Sequence, residues 1–108
     1  MTVGELSKAL DLTPFSAVDT DRDVSGGYIG DLLSWVMGRA SADQVWITIM
    51  SNQNIVAVAT LTDVAMIILA EGVVPDEGVT EVAASRGINV YGSKLPAFEL
   101  AARIGSLI

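Results

Sequence analysis

The sequence predicts a single small α/β domain with a mostly parallel central sheet that is flanked by helices. The chain has 108 residues, which suits one domain and leaves little room for two. From Gln44 onward, strand-like and helix-like segments alternate, which favours parallel strands joined by right-handed crossovers. Residues 64–69 (VAMIIL) are continuously apolar, as is typical of a strand in the middle of a parallel sheet.

Ten elements are expected, in the order helix, strand, strand, helix, strand, helix, strand, helix, strand, helix. Their expected ranges are 2–10, 12–18, 24–29, 32–39, 44–50, 55–62, 64–69, 77–86, 88–91 and 95–107. Because 51% of the residues are hydrophobic, the chain can bury a core between such layers, and a disordered chain is excluded.

Caps and breakers mark the first four elements. Thr2 and Glu5 have the spacing of a capping box at the start of the first helix. Pro14 restricts the first strand to an edge position or an extended loop, because proline cannot donate a hydrogen bond to a neighbouring strand. The second extended segment leads into a cluster of glycines directly before an amphipathic helix. Asp31 is expected to cap this helix through its carboxylate.

The interpretation of residues 55–62 (IVAVATLT) depends on their context. Their propensity favours a strand, but their apolar residues also fit one face of a helix. The preceding residues 44–50 (QVWITIM) are the clearest strand, since β-branched and aromatic residues dominate them. A helix is therefore expected at 55–62, because Asn52 or Asn54 can cap it and because a crossover must separate two parallel strands.

Caps also delimit the last two helices. Asp76 is expected to cap the helix at 77–86, and Gly87 is expected to end it in a left-handed conformation. Ser93 is expected to cap the terminal helix, whose first turn tolerates Pro96.

Composition excludes several classes of function. The chain has no cysteine, so disulfides and thiolate chemistry are impossible, and no histidine, so Ser–His pairs and imidazole metal ligands are absent. It has 13 acidic and 6 basic residues, and the basic residues form no cluster in the sequence. Binding to nucleic acid or to an anionic membrane surface is therefore not expected.

The sequence predicts neither a membrane protein nor a secreted one. Its longest apolar runs, such as residues 64–70, are far shorter than a membrane span. Its first residues lack the basic segment and apolar core of a signal peptide. A cytoplasmic location is therefore expected.

Four loops are expected to meet at one edge of the sheet, at residues 26–31, 51–54, 71–72 and 92–93. Ligands of open α/β sheets usually bind beyond the carboxyl ends of the strands. The sequence therefore predicts a small-molecule site at this edge, although glycines and amides of this kind also serve ordinary turns and caps. The candidate ligand-binding residues are Gly26, Gly27, Gly30, Asp31, Ser34, Asn52, Gln53, Asn54, Glu71 and Gly72.

Two motifs imitate phosphate or metal sites without meeting their requirements. Residues 87–94 nearly form a Walker A loop, but Lys94 is one place late and Leu95 replaces the hydroxyl residue that would hold magnesium. Residues 19–23 begin like an EF-hand loop, but Val24 takes the place of the required glycine. The sequence thus predicts no catalytic residue, no metal site and no cofactor.

Several segments resemble the DRTGG domain family, and the resemblance covers nearly the whole chain. The residues that carry it are Asp21-Arg22, Gly26-Gly27-Tyr28, Gly30-Asp31-Leu32-Leu33-Ser34, Val36-Met37, Trp46-Ile47-Thr48-Ile49, Asn54, Val56-Ala57-Val58-Ala59, Glu71-Gly72 and Pro75-Asp76. Residues 23–25 interrupt the string that names the family, so no role for Arg22 is carried over. The opening residues and the order of elements are similar to the N-terminal domain of HPr kinase/phosphorylase.

The resemblance implies a regulatory role. DRTGG domains occur alone, or beside catalytic and CBS domains in phosphotransacetylase-like proteins and in regulated pyrophosphatases. They resemble accessory, regulatory or dimerising modules more than enzymes. The HPr kinase activity belongs to a separate P-loop domain with no counterpart in this sequence, so a kinase activity is not implied.

Two functions stay open at this point. The first is a non-catalytic regulatory module that senses a small polar ligand, a nucleotide or a metabolite, at the carboxyl ends of the strands. The second is a homodimeric protein-interaction module without a ligand, which would use exposed apolar residues such as Trp35, Met37 or Met50. Either module could also bind a partner protein.

A small enzyme is the least favoured hypothesis. It would have to use Asp31 with either Asp21 or Glu71 as acid and base, without help from histidine or cysteine.

Overall fold

The elements follow one another in the order that the sequence predicts. The structure is a computed structural model that describes residues 1–108. The helices are α1 (Val3–Ala9), α2 (Leu33–Arg39), α3 (Asn54–Thr62), α4 (Val79–Ser85) and α5 (Ala97–Leu107), and the strands are β1 (Thr13–Ser16), β2 (Gly27–Ile29), β3 (Val45–Thr48), β4 (Met66–Leu69) and β5 (Val90–Gly92). None of these helices combines the length and the apolar character that crossing a bilayer requires.

All five strands belong to one sheet, in the order β1-β5-β4-β3-β2. Strands β2 to β5 are parallel and lie side by side in chain order. At one edge β1 pairs with β5 in the antiparallel direction, with a register shift between Pro14 and Ser16. The predicted mostly parallel α/β fold is confirmed, and so is the edge position of the strand that contains Pro14.

Two apolar layers form the core, one on each face of the sheet. Leu6 of α1 and Leu100 of α5 belong to the cluster on one face, whereas Ile55 of α3 belongs to the cluster on the other. Successive strand residues point to opposite faces, so Trp46 and Ile47 of β3 belong to different clusters. The three helices that connect consecutive parallel strands, α2, α3 and α4, therefore share one face, and α1 and α5 cover the other.

The predicted capping box at the first helix is confirmed. The Thr2 hydroxyl oxygen accepts from the backbone N–H of Glu5 at 3.1 Å, and the Glu5 carboxylate accepts from the backbone N–H of Thr2 at 2.9 Å. The hydrogen bond from the Thr2 backbone N–H to the carboxylate, with a smaller contribution from the Thr2 side chain, holds the pKa of Glu5 below its usual value of 4.5.

The helix expected at residues 55–62 is confirmed as α3. Ile55 in its first turn is fully buried against the sheet. Burial of one helical face outweighs the small preference of β-branched residues for strands. Asn52 stabilises the approach to the helix, because its side-chain oxygen accepts from the backbone N–H of Asn54 at 2.9 Å.

The predicted helix cap at Asp31 is wrong. α2 begins at Leu33, Leu32 occupies the N-cap position, and no side chain caps the first turn. Asp31 is one residue too far from the helix, and its carboxylate accepts hydrogen bonds from the end of β3 instead.

The predicted cap at Asp76 is also wrong. α4 begins at Val79, and its N-cap position is Gly78, which adopts a positive φ of 86°. The Asp76 carboxylate accepts from the Ser51 hydroxyl at 2.8 Å, so it joins the loop after β4 to the loop after β3.

At the last helix, the predicted cap at Ser93 is wrong in a similar way. Pro96 occupies the N-cap position of α5, and the Ser93 hydroxyl oxygen accepts from the backbone N–H of Leu95 before the helix begins. Gly87, in contrast, follows α4 with a φ of 71°, as predicted for a residue that ends a helix.

Candidate functional site

The carboxyl ends of the four parallel strands lie at one edge of the sheet, which we call the carboxyl edge. The loops that leave these strands start there and lead into α2, α3, α4 and α5. Most residues that the sequence predicts for the site lie at this edge. They are Gly30, Asp31, Ser34, Asn52, Gln53, Asn54, Glu71 and Gly72.

Gly26 and Gly27 do not belong to this group. Gly27 is the first residue of β2 and pairs with Val45, the first residue of β3. The strand thus begins inside the glycine cluster instead of ending before it. Gly26 and Gly27 therefore lie at the opposite edge, where the parallel strands begin, and their predicted place beside Asp31 is wrong.

Gly30 leaves room for the ring of Tyr28. A Cβ atom at this position would lie 2.9 Å from Cε2 of Tyr28. In addition, the indole N–H of Trp46 donates to the carbonyl oxygen of Gly30 at 2.9 Å. Close packing explains the glycine here without a ligand.

Asp31 connects the ends of β2 and β3. Its Oδ1 atom accepts from the Thr48 hydroxyl at 2.8 Å and from the backbone N–H of Ile49 at 2.9 Å. Thr48 is buried, and its hydroxyl oxygen also accepts from the backbone N–H of Met50 at 3.1 Å. Asp31 therefore holds two loops of the carboxyl edge together.

Of the polar side chains near the start of α3, one forms a hydrogen bond within the protein and the others face solvent. The side-chain oxygen of Asn52 accepts from the backbone N–H of Asn54, as described above. Gln53 and Asn54 are exposed, and so is Ser34 in the first turn of α2. These three side chains make no hydrogen bond within the protein, so they remain available to a ligand.

Glu71 and Gly72 form a left-handed turn after β4, with φ values of 62° and 74°. The backbone N–H of Glu71 donates to the carbonyl oxygen of Leu95 at 3.0 Å, and that of Gly72 donates to Ser93 at 2.9 Å. Backbone hydrogen bonds thus tie the loop after β4 to the loop after β5.

These two loops lead to opposite faces of the sheet. β4 is followed by α4 on one face, and its neighbour β5 is followed by α5 on the other. In open α/β sheets, this change of direction between adjacent strands opens the crevice where ligands bind. The other pairs of parallel neighbours lack this feature, because α2, α3 and α4 share a face.

One cavity lies in this crevice, and a second adjoins it beyond the loop after β5, on the side of α5. The first has a volume of about 180 Å³ and is lined by Thr13, Phe15, Gly72, Val73, Val74, Gly92, Ser93 and Lys94. The second has a volume of about 370 Å³ and is lined by Leu10, Asp11, Thr13, Ser93, Lys94, Leu95 and Arg103. Both are open to solvent, and three residues, Thr13, Ser93 and Lys94, line both.

Most of these lining residues were missed by sequence reasoning. Gly72 was predicted, and the loop that contains Ser93 was expected at this edge. Thr13 and Phe15 lie here only because β1 pairs with β5, and nothing local in the sequence specifies this pairing. Arg103 reaches the crevice from the second turn of α5. In the sequence, a charged residue at this position is typical of the solvent-facing side of a helix.

A third cavity lies along the free edge of the sheet. It has a volume of about 270 Å³, is mostly apolar, and is formed by β2, the neighbouring β3 and the last turns of α5. Gly26 and Gly27 line it together with Ile29 and Ile108. It offers an apolar surface and no charged side chain.

Arg22 holds together the loops at the amino ends of the parallel strands, which is the edge opposite the carboxyl edge. Its guanidinium donates to the carboxylates of Asp43 and Asp63, each at 2.9 Å, and to the backbone carbonyl of Asp63. Burial opposes the charged form of Arg22, but the hydrogen bonds to the two carboxylates prevail and raise its pKa. The arginine thus clamps the loops before β2, β3 and β4.

Asn89 fixes the same edge from the start of β5. Its Oδ1 atom accepts from the backbone N–H groups of Val18 and Asp19, and its Nδ2 group donates to the carbonyl oxygens of Asp19 and Ala65. The side chain is buried, and all of its hydrogen-bonding capacity is used. This residue was not singled out in the sequence.

No group of three or more acidic side chains is arranged to hold a metal ion. The acidic turn at residues 19–23 is exposed, apart from Arg22.

Comparison with known proteins identifies a solved structure with the same fold. It is the crystal structure of the CBS and DRTGG domains of the regulatory region of Clostridium perfringens pyrophosphatase, complexed with the activator diadenosine tetraphosphate. The TM-score is 0.67 at 14% sequence identity, and the match covers 94% of this chain but 44% of that one. The likeness supports a DRTGG-like fold; at this identity it carries nothing about the ligand.

No protein-family model matches the sequence, and no curated protein matches it either. The resemblance to the N-terminal domain of HPr kinase/phosphorylase therefore stays a prediction.

Proposed function

We propose that this chain is a non-catalytic regulatory module that senses a small polar ligand, a nucleotide or a metabolite, at the carboxyl edge. The observation that carries the proposal is the crevice between β4 and β5, where adjacent parallel strands lead to helices on opposite faces. A cavity of about 180 Å³ lies in this crevice, and one of about 370 Å³ adjoins it on the side of α5. The larger one is within the size range of small-molecule sites, roughly 300–1,000 Å³.

The pyrophosphatase regulatory region supports the proposal by analogy. That region binds the activator diadenosine tetraphosphate, and this chain shares its fold over 44% of its length. A fold alone does not define a ligand, so the analogy supports a regulatory role and leaves the ligand to experiment.

The proposal that the module is not an enzyme is supported by the position of the acidic residues. Asp31 already accepts two hydrogen bonds from the end of β3. Asp21, one of its two suggested partners beside Glu71, precedes Arg22, which is anchored at the opposite edge of the sheet. These two carboxylates therefore do not form an acid–base pair around one substrate.

A thermal-shift screen of the purified chain tests this proposal. The panel should contain nucleotides, dinucleoside polyphosphates, phosphorylated metabolites and divalent cations. A ligand at about a hundred times its Kd adds roughly 2.7 kcal/mol to the free energy of unfolding, which raises the Tm of a domain of this size by roughly 10 °C. A selective shift is expected. A panel without any shift would contradict the sensing function.

A homodimeric interaction module is the second candidate, and one exposed apolar surface favours it. Leu32, Trp35 and Met37 at α2 are 57%, 54% and 51% exposed. The unpaired edge strand β2 exposes Ile29 nearby. Met50 does not contribute, because it packs against the buried core. Large exposed apolar side chains of this kind often mark protein–protein contacts.

Light scattering of the wild type and of the Trp35→Glu variant tests this candidate. If α2 forms the dimer interface, the wild type is a dimer and Trp35→Glu is a monomer. Phe98→Glu is the matched control, because Phe98 is 83% exposed on α5, on the other face of the sheet. A monomeric wild type, or a dimer that Trp35→Glu leaves intact, would contradict an interface at α2.

A further inference from the structure

We infer that the crevice between β4 and β5 binds a nucleoside polyphosphate, with the phosphates between Lys94 and Arg103 and the base against Phe15 and the valines of the loop after β4. This inference rests on the proposed sensing function and names the ligand class and the residues that recognise it.

The crevice has an apolar part and a charged part. The smaller cavity contains the side chains of Phe15, Val73 and Val74, and the larger one contains Asp11, Lys94 and Arg103. Because Thr13, Ser93 and Lys94 line both cavities, a ligand that lies across these three residues would reach both. A nucleoside polyphosphate has this division, since it joins an apolar, flat base to a polyanion.

Of the six basic residues of this acidic chain, which has a net charge of −7, only Lys94 and Arg103 line a cavity. Arg22 is held by two aspartates, and the guanidinium of Arg39 lies over the ring of Trp35 at 3.8 Å. Lys94 forms no ion pair, and Arg103 has only an exposed contact of 3.6 Å with Glu99. Exposed pairs of this kind contribute little, so Arg103 is free to bind another anion.

The larger cavity is lined by both of these cations, whereas no other cavity contains more than one basic residue. Two positive charges at one recess favour a ligand with more than one phosphate, because each phosphate group adds a charge-assisted hydrogen bond. The carboxylate of Asp11 at the same recess can accept a hydrogen bond from a sugar hydroxyl. Because it is negatively charged, it disfavours a polyphosphate without a sugar.

Two hydroxyl groups stand where the two parts of the crevice meet. The Ser93 oxygen accepts from the backbone N–H of Leu95 at 3.1 Å, but its own proton is not donated within the protein. The Thr13 hydroxyl makes no hydrogen bond within the protein and is exposed. Both can therefore donate to oxygens of a sugar or phosphate that spans the cavities.

The apolar part has an aromatic wall. The ring of Phe15 packs over Gly92, so closely that a Cβ atom at Gly92 would lie 2.6 Å from its Cε2 atom. Stacking on an aromatic ring is favourable and is tolerant of the identity of the base.

Titration calorimetry with ATP, GTP, inorganic tripolyphosphate and adenosine tests the inference on the full chain. We expect ATP and GTP to bind more tightly than tripolyphosphate and more tightly than adenosine, because only the nucleotides fill both parts. The double variant Lys94→Gln/Arg103→Gln should raise the Kd for ATP at least tenfold. Raising the salt concentration should weaken binding to the wild type more than binding to this variant.

The matched control is Arg39→Gln/Arg86→Gln, which removes the same charge from exposed positions on α2 and after α4, outside the crevice. Its Kd should stay within about twofold of the wild type, because distant exposed charges are screened. Circular dichroism of each variant checks that it is folded. An equal loss of affinity in both double variants would mean that net charge alone drives binding, and would overturn the inference.

Three other results would also overturn it. They are equal affinities for ATP and tripolyphosphate, ATP binding that the Lys94→Gln/Arg103→Gln variant leaves unchanged, and no binding of ATP or GTP at all. If the Lys94→Gln/Arg103→Gln variant leaves ATP binding unchanged and Asn54→Ala abolishes it, the site lies at the start of α3 and the sensing function remains. If neither ATP nor GTP binds but the screen finds another ligand, the sensing function also remains. Only a negative screen removes both proposals.

Discussion

The Oδ1 atom of Asp31 accepts a hydrogen bond from the hydroxyl group of the buried residue Thr48, with 2.8 Å between the two oxygen atoms. The same oxygen also accepts from the backbone N–H of Ile49 at 2.9 Å. Removal of the carboxylate in Asp31→Ala leaves the buried hydroxyl without its acceptor. We expect the free energy of unfolding to fall by about 1–3 kcal/mol in urea denaturation.

The variant Asp31→Asn separates this structural role from a role in ligand binding. The amide oxygen can accept the same two hydrogen bonds, so stability should stay within about 1 kcal/mol of the wild type. An Asp31→Asn variant as unstable as Asp31→Ala would show that the charge of Asp31, and not its hydrogen bonds, stabilises the carboxyl edge.

Asn89→Ala should be the most destabilising truncation of an amide side chain in this protein. It deprives the backbone N–H groups of Val18 and Asp19 of their acceptor, and the carbonyl of Ala65 of a donor, in a buried place. We expect a loss of about 2–4 kcal/mol in urea denaturation. Asn52→Ala is the control; it removes one hydrogen bond near the surface and should cost about 1 kcal/mol or less. Equal losses would contradict the special role of Asn89.

Two Gly→Ala substitutions should change the stability of the protein in opposite directions. Gly92→Ala places a Cβ atom 2.6 Å from Cε2 of Phe15, so we expect overpacking to lower stability by about 1–3 kcal/mol. Phe15→Leu should recover part of this loss in the double variant. Gly105→Ala in α5 meets no atom within 4 Å, and it should raise stability by about 0.5–1 kcal/mol because alanine favours the helix. Thermal unfolding measures all three, and a neutral Gly92→Ala would mean that the Phe15 ring moves freely.

The capping box predicts a pH-dependent contribution of Glu5. Because the folded state holds the pKa of Glu5 below 4.5, its carboxylate contributes stability above about pH 4.5, and this contribution is lost as the pH falls through the lower, folded pKa. Wild type should therefore be more stable than Glu5→Gln at neutral pH, and the difference should vanish in acid. Urea denaturation across this range measures it.

Thr2→Ala is the control for this pH dependence, because the hydroxyl group that it removes does not titrate. It should lower stability by about 0.5–2 kcal/mol, as expected for the loss of an N-cap, and part of this loss should persist in acid, where Glu5 is protonated. A difference between wild type and Glu5→Gln that is the same at neutral and acidic pH would contradict the assignment.

The order of elements could be predicted because apolar periodicity and breakers act locally. Pro14 indicated an edge strand, and the alternation after Gln44 indicated parallel strands. Caps were less predictable: Asp31, Asp76 and Ser93 all have side chains suited to a helix N-terminus, but Asp31 and Asp76 accept hydrogen bonds from a neighbouring strand end or loop, and Ser93 accepts one before its helix begins. Whether a donor from a neighbouring loop is nearer than the first turn depends on the tertiary fold, which local sequence does not encode.

Most of the predicted site residues share the carboxyl edge of the sheet, as expected, but their grouping was only partly predictable. The glycine cluster was placed as one unit, whereas β2 begins inside it and separates Gly26 and Gly27 from Gly30 by the length of a strand. The crevice between β4 and β5 depends on the face that α5 takes and on the pairing of β1 with β5. Both are long-range features, so Phe15 and Arg103 could not be assigned from their sequence neighbours.

The pairing of β1 with β5 has a consequence for the order in which the chain folds during synthesis. Strands β2 to β5 join the sheet one after another, each beside the strand made before it, whereas the Ser16 hydroxyl of β1 bonds to Ile88, which lies 72 residues later. β1 therefore leaves the ribosome long before its partner exists, and such distant pairings form slowly. A chain stalled after α4 would carry an unpaired β1 and an uncovered edge of β4, and both are surfaces that invite aggregation until β5 is made.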